Sequence, residues 1–121
     1  MKKSASILRV YVSETDMIGD TILYDQIVKD AHMTGLAGAT VLRGIISFGA
    51  SHSIHSVKVF SMTSQVPIII EIVDDNEVIR EFSKQVQTLI DKAGKGALMT
   101  IQPVEVIEYK AGNKYNQFSH F

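Results

Sequence analysis

A chain of 121 residues with 45% hydrophobic side chains is long enough for one ordinary domain and too apolar for wholesale disorder. Its formal charge of −1, with no strongly basic block, argues against a protein that grips nucleic acid through a positive surface. The absence of cysteine removes disulfide frameworks, thiolate nucleophiles and cysteine-based zinc sites.

Arg9 interrupts the apolar run Ile7-Leu8-Arg9-Val10, so the beginning of the chain does not read as a signal peptide. No apolar stretch approaches the roughly 20 residues that span a bilayer, and a cytoplasmic protein without membrane insertion is expected. Residues 7–12 are β-branched and aromatic and read as a strand. After the polar residues 13–19, Asp20 or Thr21 can cap a helix whose Tyr24, Ile27, Val28 and Ala31 recur on one face, with Gly35 as its stop. Residues 39–48 return to strand character. Residues 49–66 form a long polar loop, apart from Val57-Lys58-Val59-Phe60, a short strand or a hairpin arm.

Pro67 opens a third strand, Ile68-Ile69-Ile70-Glu71-Ile72-Val73. Asp74 or Asp75 caps a second helix that buries Val78, Ile79, Phe82, Val86, Leu89 and Ile90, and Gly94-Lys95-Gly96 ends it. A last strand runs from about Leu98 to Tyr109, with Pro103 marking a bend or an edge. The order strand, helix, strand, strand, helix, strand predicts an α+β, ferredoxin-like βαββαβ domain over residues 1–110, with both helices on one face of an antiparallel sheet, followed by a tail over 111–121.

Alternation divides the strands into two faces. Leu8, Val10, Val12, Leu42, Ile46, Phe48, Ile68, Ile70, Ile72, Val104 and Val106 are expected under the helices. The other face then reads Ile7, Arg9, Tyr11; Val41, Arg43, Ile45; Ile69, Glu71, Val73; Glu105, Ile107, Tyr109. A sheet face this apolar calls for a cover, and another copy of the chain is the simplest one. Arg9, Tyr11, Arg43, Glu71 and Glu105 are therefore expected at an oligomer interface, the two arginines pairing with the two glutamates. The alternative is a partly exposed face with solvated charges.

Phe48-Gly49 and Gly94-Lys95-Gly96 are the strongest ligand-site candidates, because glycines let backbone approach a ligand and exposed amides with a lysine hold an oxyanion. Glycines that merely end a strand and a helix are the plainer reading of the same residues. His52 and His55, three apart in the loop, are weak metal candidates without a third ligand nearby; His32 reads as helix surface and His120 as tail. Residues 43–49 superficially resemble an RNA-recognition motif, but Ile45 and Ser47 stand where stacking aromatics are needed. No Gly-x-Ser-x-Gly, His-Glu-x-x-His or phosphate-loop motif is present, and an enzyme is not expected.

The run Gly35-Leu36-Ala37-Gly38-Ala39-Thr40-Val41-Leu42-Arg43-Gly44-Ile45, then Phe48-Gly49-Ala50-Ser51 and Ile54-His55, resembles an uncharacterised family of PII-like proteins. Leu23-Tyr24, Ile27-Val28, Pro67 leading into Ile70-Glu71-Ile72-Val73-Asp74, and Val104-Glu105-Val106-Ile107 extend the likeness over about residues 7–109. The resemblance implies a homotrimer whose sheets line its centre. It further implies a regulatory protein that needs no cofactor and takes a small anionic ligand, an adenine nucleotide, between subunits. Phe48, Gly49, Ala50, Ser51 and His55 would line one wall, and Gly94, Lys95 and Gly96 would hold the charged end. The 49–66 loop would signal to a partner such as a membrane transporter or ion channel. Ser53, Glu108 and Gly19-Asp20-Thr21 depart from the pattern of relatives, Glu108 standing where PII proteins carry a phosphate-gripping basic residue, so a monophosphate or simpler anion stays open. A metal-binding trimer using the loop histidines, as the related divalent-cation-tolerance fold suggests, and a small enzyme at a subunit boundary are the alternatives.

Overall fold

The computed structural model of the chain describes residues 4–48, 54–56 and 66–112. In chain order these form β1 (Ala5–Ser13), β2 (Met17–Ile18), β3 (Thr21–Ile22), α1 (Leu23–Thr34), β4 (Thr40–Arg43), β5 (Ile46–Phe48), β6 (Ile54–Ser56), β7 (Pro67–Asp75), α2 (Asn76–Ala93) and β8 (Leu98–Val104). The main sheet has the order β4-β7-β1-β8 with every neighbour antiparallel. Two split βαβ units interleaved in this way give the expected ferredoxin-like α+β fold.

The two central strands are set by strict alternation. Leu8, Val10 and Val12 of β1 and Ile68, Ile70 and Ile72 of β7 face the helices and are buried. Leu23, Ile27 and Ala31 of α1 and Ile79, Phe82 and Val86 of α2 close the same core. Tyr24, Val28, Leu89 and Ile90 pack around it as anticipated, whereas Val78 is exposed. Both helices end where glycine permits a left-handed residue, at Gly35 (φ 91°) and Gly94 (φ 67°).

Several sequence expectations are corrected. Asp20 and Thr21 do not cap α1: Thr21 and Ile22 pair with Met17 and Ile18 in a small hairpin, and the helix starts at Leu23, whose N–H donates to the Asp16 carbonyl. The strand expected over 39–48 breaks after Arg43. A Cβ on Gly44 would lie 2.7 Å from Cγ of Pro67, and the Gly44 N–H donates to the Pro67 carbonyl at 2.8 Å. That close approach turns the chain out of the sheet into the β5–β6 hairpin, whose second strand lies inside the segment expected to be a loop.

The phase of β4 is also reversed. Val41 and Arg43 stand opposite Ile70 and Ile68, on the helix side, while Thr40 and Leu42 stand opposite Glu71 and Ile69 on the open side. Two adjacent apolar residues satisfy the alternation either way, and a shift of one residue moves every side chain to the other face. In β8, Met99 and Ile101 fill the helix side and Val104 stands opposite Ala5 on the open side, so Val104 is not core. The strand stops at Val104, and Glu105, Val106, Ile107 and Tyr109 belong to an irregular segment. Val57-Lys58-Val59-Phe60 and His120 lie outside the described residues.

Candidate functional site

On the open face the register lines side chains into rows across the sheet. Leu42, Ile69, Tyr11 and Leu98 stand opposite one another in turn, a continuous apolar row over all four strands. Its ends are the most exposed, Leu42 at 42% and Leu98 at 56%. The next row is Thr40, Glu71, Arg9 and Thr100. Here Arg9 Nε donates to Glu71 Oε2 at 2.9 Å, and another Arg9 nitrogen donates to Gln102 Oε1 at 2.9 Å. Arg9 and Glu71, both expected at an interface between copies, therefore pair within one chain, with both side chains about 30% exposed. Arg43 is elsewhere, paired with Glu14 at 2.9 Å on the other side of β4. Glu105 is exposed beyond the end of β8.

The third row, Val73 and Ile7, is approached by the chain itself. After Val104 the backbone leaves the β8 edge and crosses the open face toward the opposite edge, where the Tyr109 hydroxyl donates to the Ala37 carbonyl at 2.6 Å. Between this crossing segment and the α1–β4 loop lies a cleft of about 440 Å³, lined by Ala37, Gly38, Ala39, Thr40, Glu71, Val73, Val106, Glu108 and Tyr109. The loop wall is fixed from behind by Asp74. Its buried carboxylate accepts the Ala37 N–H at 2.9 Å through Oδ2 and the Asp75 N–H at 2.6 Å through Oδ1. The lining combines alanine, valine and tyrosine surface with two carboxylates and carries no cation. With Glu71 paired to Arg9 and Glu108 to Lys110, such a cavity suits an uncharged ring with hydrogen-bond donors.

This cleft was missed from the sequence as a site. Its two walls are almost 70 residues apart in the chain, and the only local signals were the Gly-rich run 35–38 and the aromatic Tyr109. The ligand residues that were anticipated lie at the other end of the sheet. Gly94, Lys95 and Gly96 join α2 to β8, with Lys95 and Gly96 exposed, beside the end where Leu98 pairs with Tyr11. Phe48 belongs to β5, opposite Ile54, and His55 to β6, opposite Ser47. This hairpin follows β4, at the opposite edge of the same end. One chain thus holds the two anticipated walls at opposite edges. Gly49, Ala50, Ser51, His52 and Ser53 lie outside the described residues. Among the described residues, no three histidine, aspartate or glutamate side chains cluster as a metal site, and no helix is long and apolar enough to cross a membrane.

Comparison with known proteins agrees with this architecture. Over residues 5–106 the chain matches the model of the DUF190 family, described as an uncharacterized ACR. It is 33% identical to a UPF0166 protein of Aquifex aeolicus, covering 84% of this chain and 91% of that protein. A UPF0166 protein of Methanocaldococcus jannaschii is 31% identical, covering 74% of this chain and 82% of that one. Among solved structures, CPII of Thiomonas intermedia K12, a nitrogen regulatory PII-like protein bound to ADP, AMP and bicarbonate, superposes with a TM-score of 0.64 at 12% identity, covering 85% of this chain and 88% of that one. The divalent ion tolerance protein CutA1 of Ehrlichia chaffeensis superposes at 0.53 and 16% identity, over 98% and 94% of the two chains. At these identities the structural likeness establishes a shared fold. The family match rests on the sequence itself, and by it the chain belongs to the uncharacterised DUF190 (UPF0166) family, within a PII-like fold.

Proposed function

We propose that the protein is a regulatory subunit of the PII-like kind, a cytoplasmic, non-enzymatic homotrimer that binds an adenine nucleotide between its subunits. The observation that carries this reading is the cleft between residues 37–40 and 106–109. Its volume falls within the range of about 300–1,000 Å³ usual for small-molecule sites. The ADP and AMP bound to CPII suggest the ligand class. Since the cleft carries no cation, it suits the base of a nucleotide and not its phosphates. Gly94, Lys95 and Gly96 are suited to the phosphates, but in the same chain they stand at the other end of the sheet. A neighbouring copy can bring its own Gly94–Lys95–Gly96 turn to the cleft, which is why the site is read as shared between subunits.

The apolar row Leu42, Ile69, Tyr11 and Leu98 supports assembly through the open face, because removing such a row from water contributes about 25 cal/mol per Å² of apolar area. The Arg9–Glu71 pair could be buried there without leaving a lone charge. In this reading the 49–66 segment, with Phe48 and His55 at the described hairpin, transmits ligand state to a partner; a membrane transporter or channel is the kind of partner the family resemblance implies. A ligand shifts such an equilibrium only by its differential affinity for two states of that segment.

Titration calorimetry of the assembled protein against AMP, ADP, bicarbonate and inorganic phosphate tests the ligand. Saturable heat is expected from at least one adenine nucleotide, with affinity about tenfold weaker in Lys95→Ala, in line with the loss of one charge-assisted contact. Assembled protein that gives no heat with either nucleotide contradicts the ligand assignment.

A further inference from the structure

The irregular segment after β8 has the properties of a hinged strap over the cleft, and we infer that residues 105–110 gate it, with Tyr109 as the latch. The inference concerns regulation of the site assigned above and rests on that reading for the identity of the occupant only. The segment crosses the open face without joining the sheet, and no backbone hydrogen bond outside the regular elements holds residues 105–110 among the described residues. Within its own subunit its apolar side chains hold it weakly: Ile107 is 94% exposed in the single chain, and Val106 and Tyr109 are exposed as well.

One cross-link ties the far end of the segment to the body of the domain, the 2.6 Å hydrogen bond from the Tyr109 hydroxyl to the Ala37 carbonyl. Lys110 and Glu108 pair with each other at 3.4 Å and add nothing across the cleft. The opposite wall, by contrast, is held to the core through Asp74. A wall with few buried contacts facing a fixed wall is the element expected to open first. Opening would swing Val106, Glu108 and Tyr109 away from Val73 and Glu71 and let a ligand reach the sheet; closing would trap it.

The natural absence of cysteine allows a direct test. A Val73→Cys substitution places the chain's one thiol on the cleft floor beneath the strap, and its rate of reaction with a disulfide reagent reports how often the strap opens. In the Tyr109→Phe background, which keeps the ring and removes the hydroxyl, labelling should be about five- to tenfold faster, the effect of losing one ordinary hydrogen bond. Equal labelling rates in the two backgrounds would overturn the latch. A second arm follows AMP by stopped flow. Gating predicts that Tyr109→Phe raises the association and dissociation rates together; unchanged rates for AMP that does bind would overturn the gate. Should AMP bind neither protein, the nucleotide assignment fails, while the thiol arm still decides whether the strap opens through its latch.

Discussion

Leu98→Glu should leave the subunit folded and abolish its self-association. Leu98 opens β8 at the edge of the sheet, and 56% of it is exposed in the single chain. Substitutions at such positions usually change folding stability by no more than about 0.5 kcal/mol. In the proposed trimer the same position joins the apolar row with Tyr11, Ile69 and Leu42 against neighbouring copies. An unpaired carboxylate buried there costs about 3–5 kcal/mol, enough to weaken association more than a hundredfold at each interface. Leu98→Met, which conserves volume and polarity, should assemble normally. Sedimentation velocity on the two variants reads the difference, with circular dichroism as the check on folding. A Leu98→Glu protein that sediments like wild-type trimer would remove the open face from the interface.

Asp74→Ala should have the largest effect on the fold itself. The carboxylate is 8% exposed and satisfies two backbone donors, Ala37 N–H at the wall of the cleft and Asp75 N–H at the entry to α2. Hydrogen bonds to a charged acceptor contribute about 1.5–3 kcal/mol each, and the alanine variant removes the acceptor of both. A loss of about 3 kcal/mol is expected, which for a domain of this size lowers Tm by about 10 °C at matched protein concentration. Asp74→Asn keeps one acceptor oxygen and should lose about half as much. Thermal unfolding of the three proteins checks the order. The loss should carry over to the cleft, because the α1–β4 loop is what Asp74 holds in place. An alanine variant that melts with wild type would show that the loop is held by something else.

How far the sequence discloses this molecule depends on the element. The pairs β1–β7 and α1–α2 were legible because in one case Arg9 and Glu71 mark the second face of each strand and leave leucine, valine and isoleucine at every second position as the one uncharged face, and in the other a 3.6-residue apolar stripe is closed by glycine. The edges were not. In β4, Val41 and Leu42 are neighbours of equal hydrophobicity, so alternation could not choose which faces the helices, and pairing with β7 decided it. Arg43 was carried to the wrong face by the same ambiguity. Beyond Val104, Val106 and Ile107 resemble a continuing strand, yet the chain turns away and builds the cleft.

Arg9 and Glu71 were singled out as charges that need partners at a covered face, with the pairing among two arginines and two glutamates left open; the register of β1 against β7 decides it, and within one chain. The cleft was not found at all, because it depends on residues 37–40 and 106–109 meeting across the whole width of the sheet. No periodicity encodes that meeting; it follows only once the strand order is known.

Assembly is the claim on which the shared site depends, and light scattering coupled to size-exclusion chromatography measures it directly. At micromolar concentration the account predicts one species of about 40 kDa, three copies of the 13.4 kDa chain, across a tenfold dilution. A monodisperse 13.4 kDa species under the same conditions would contradict it.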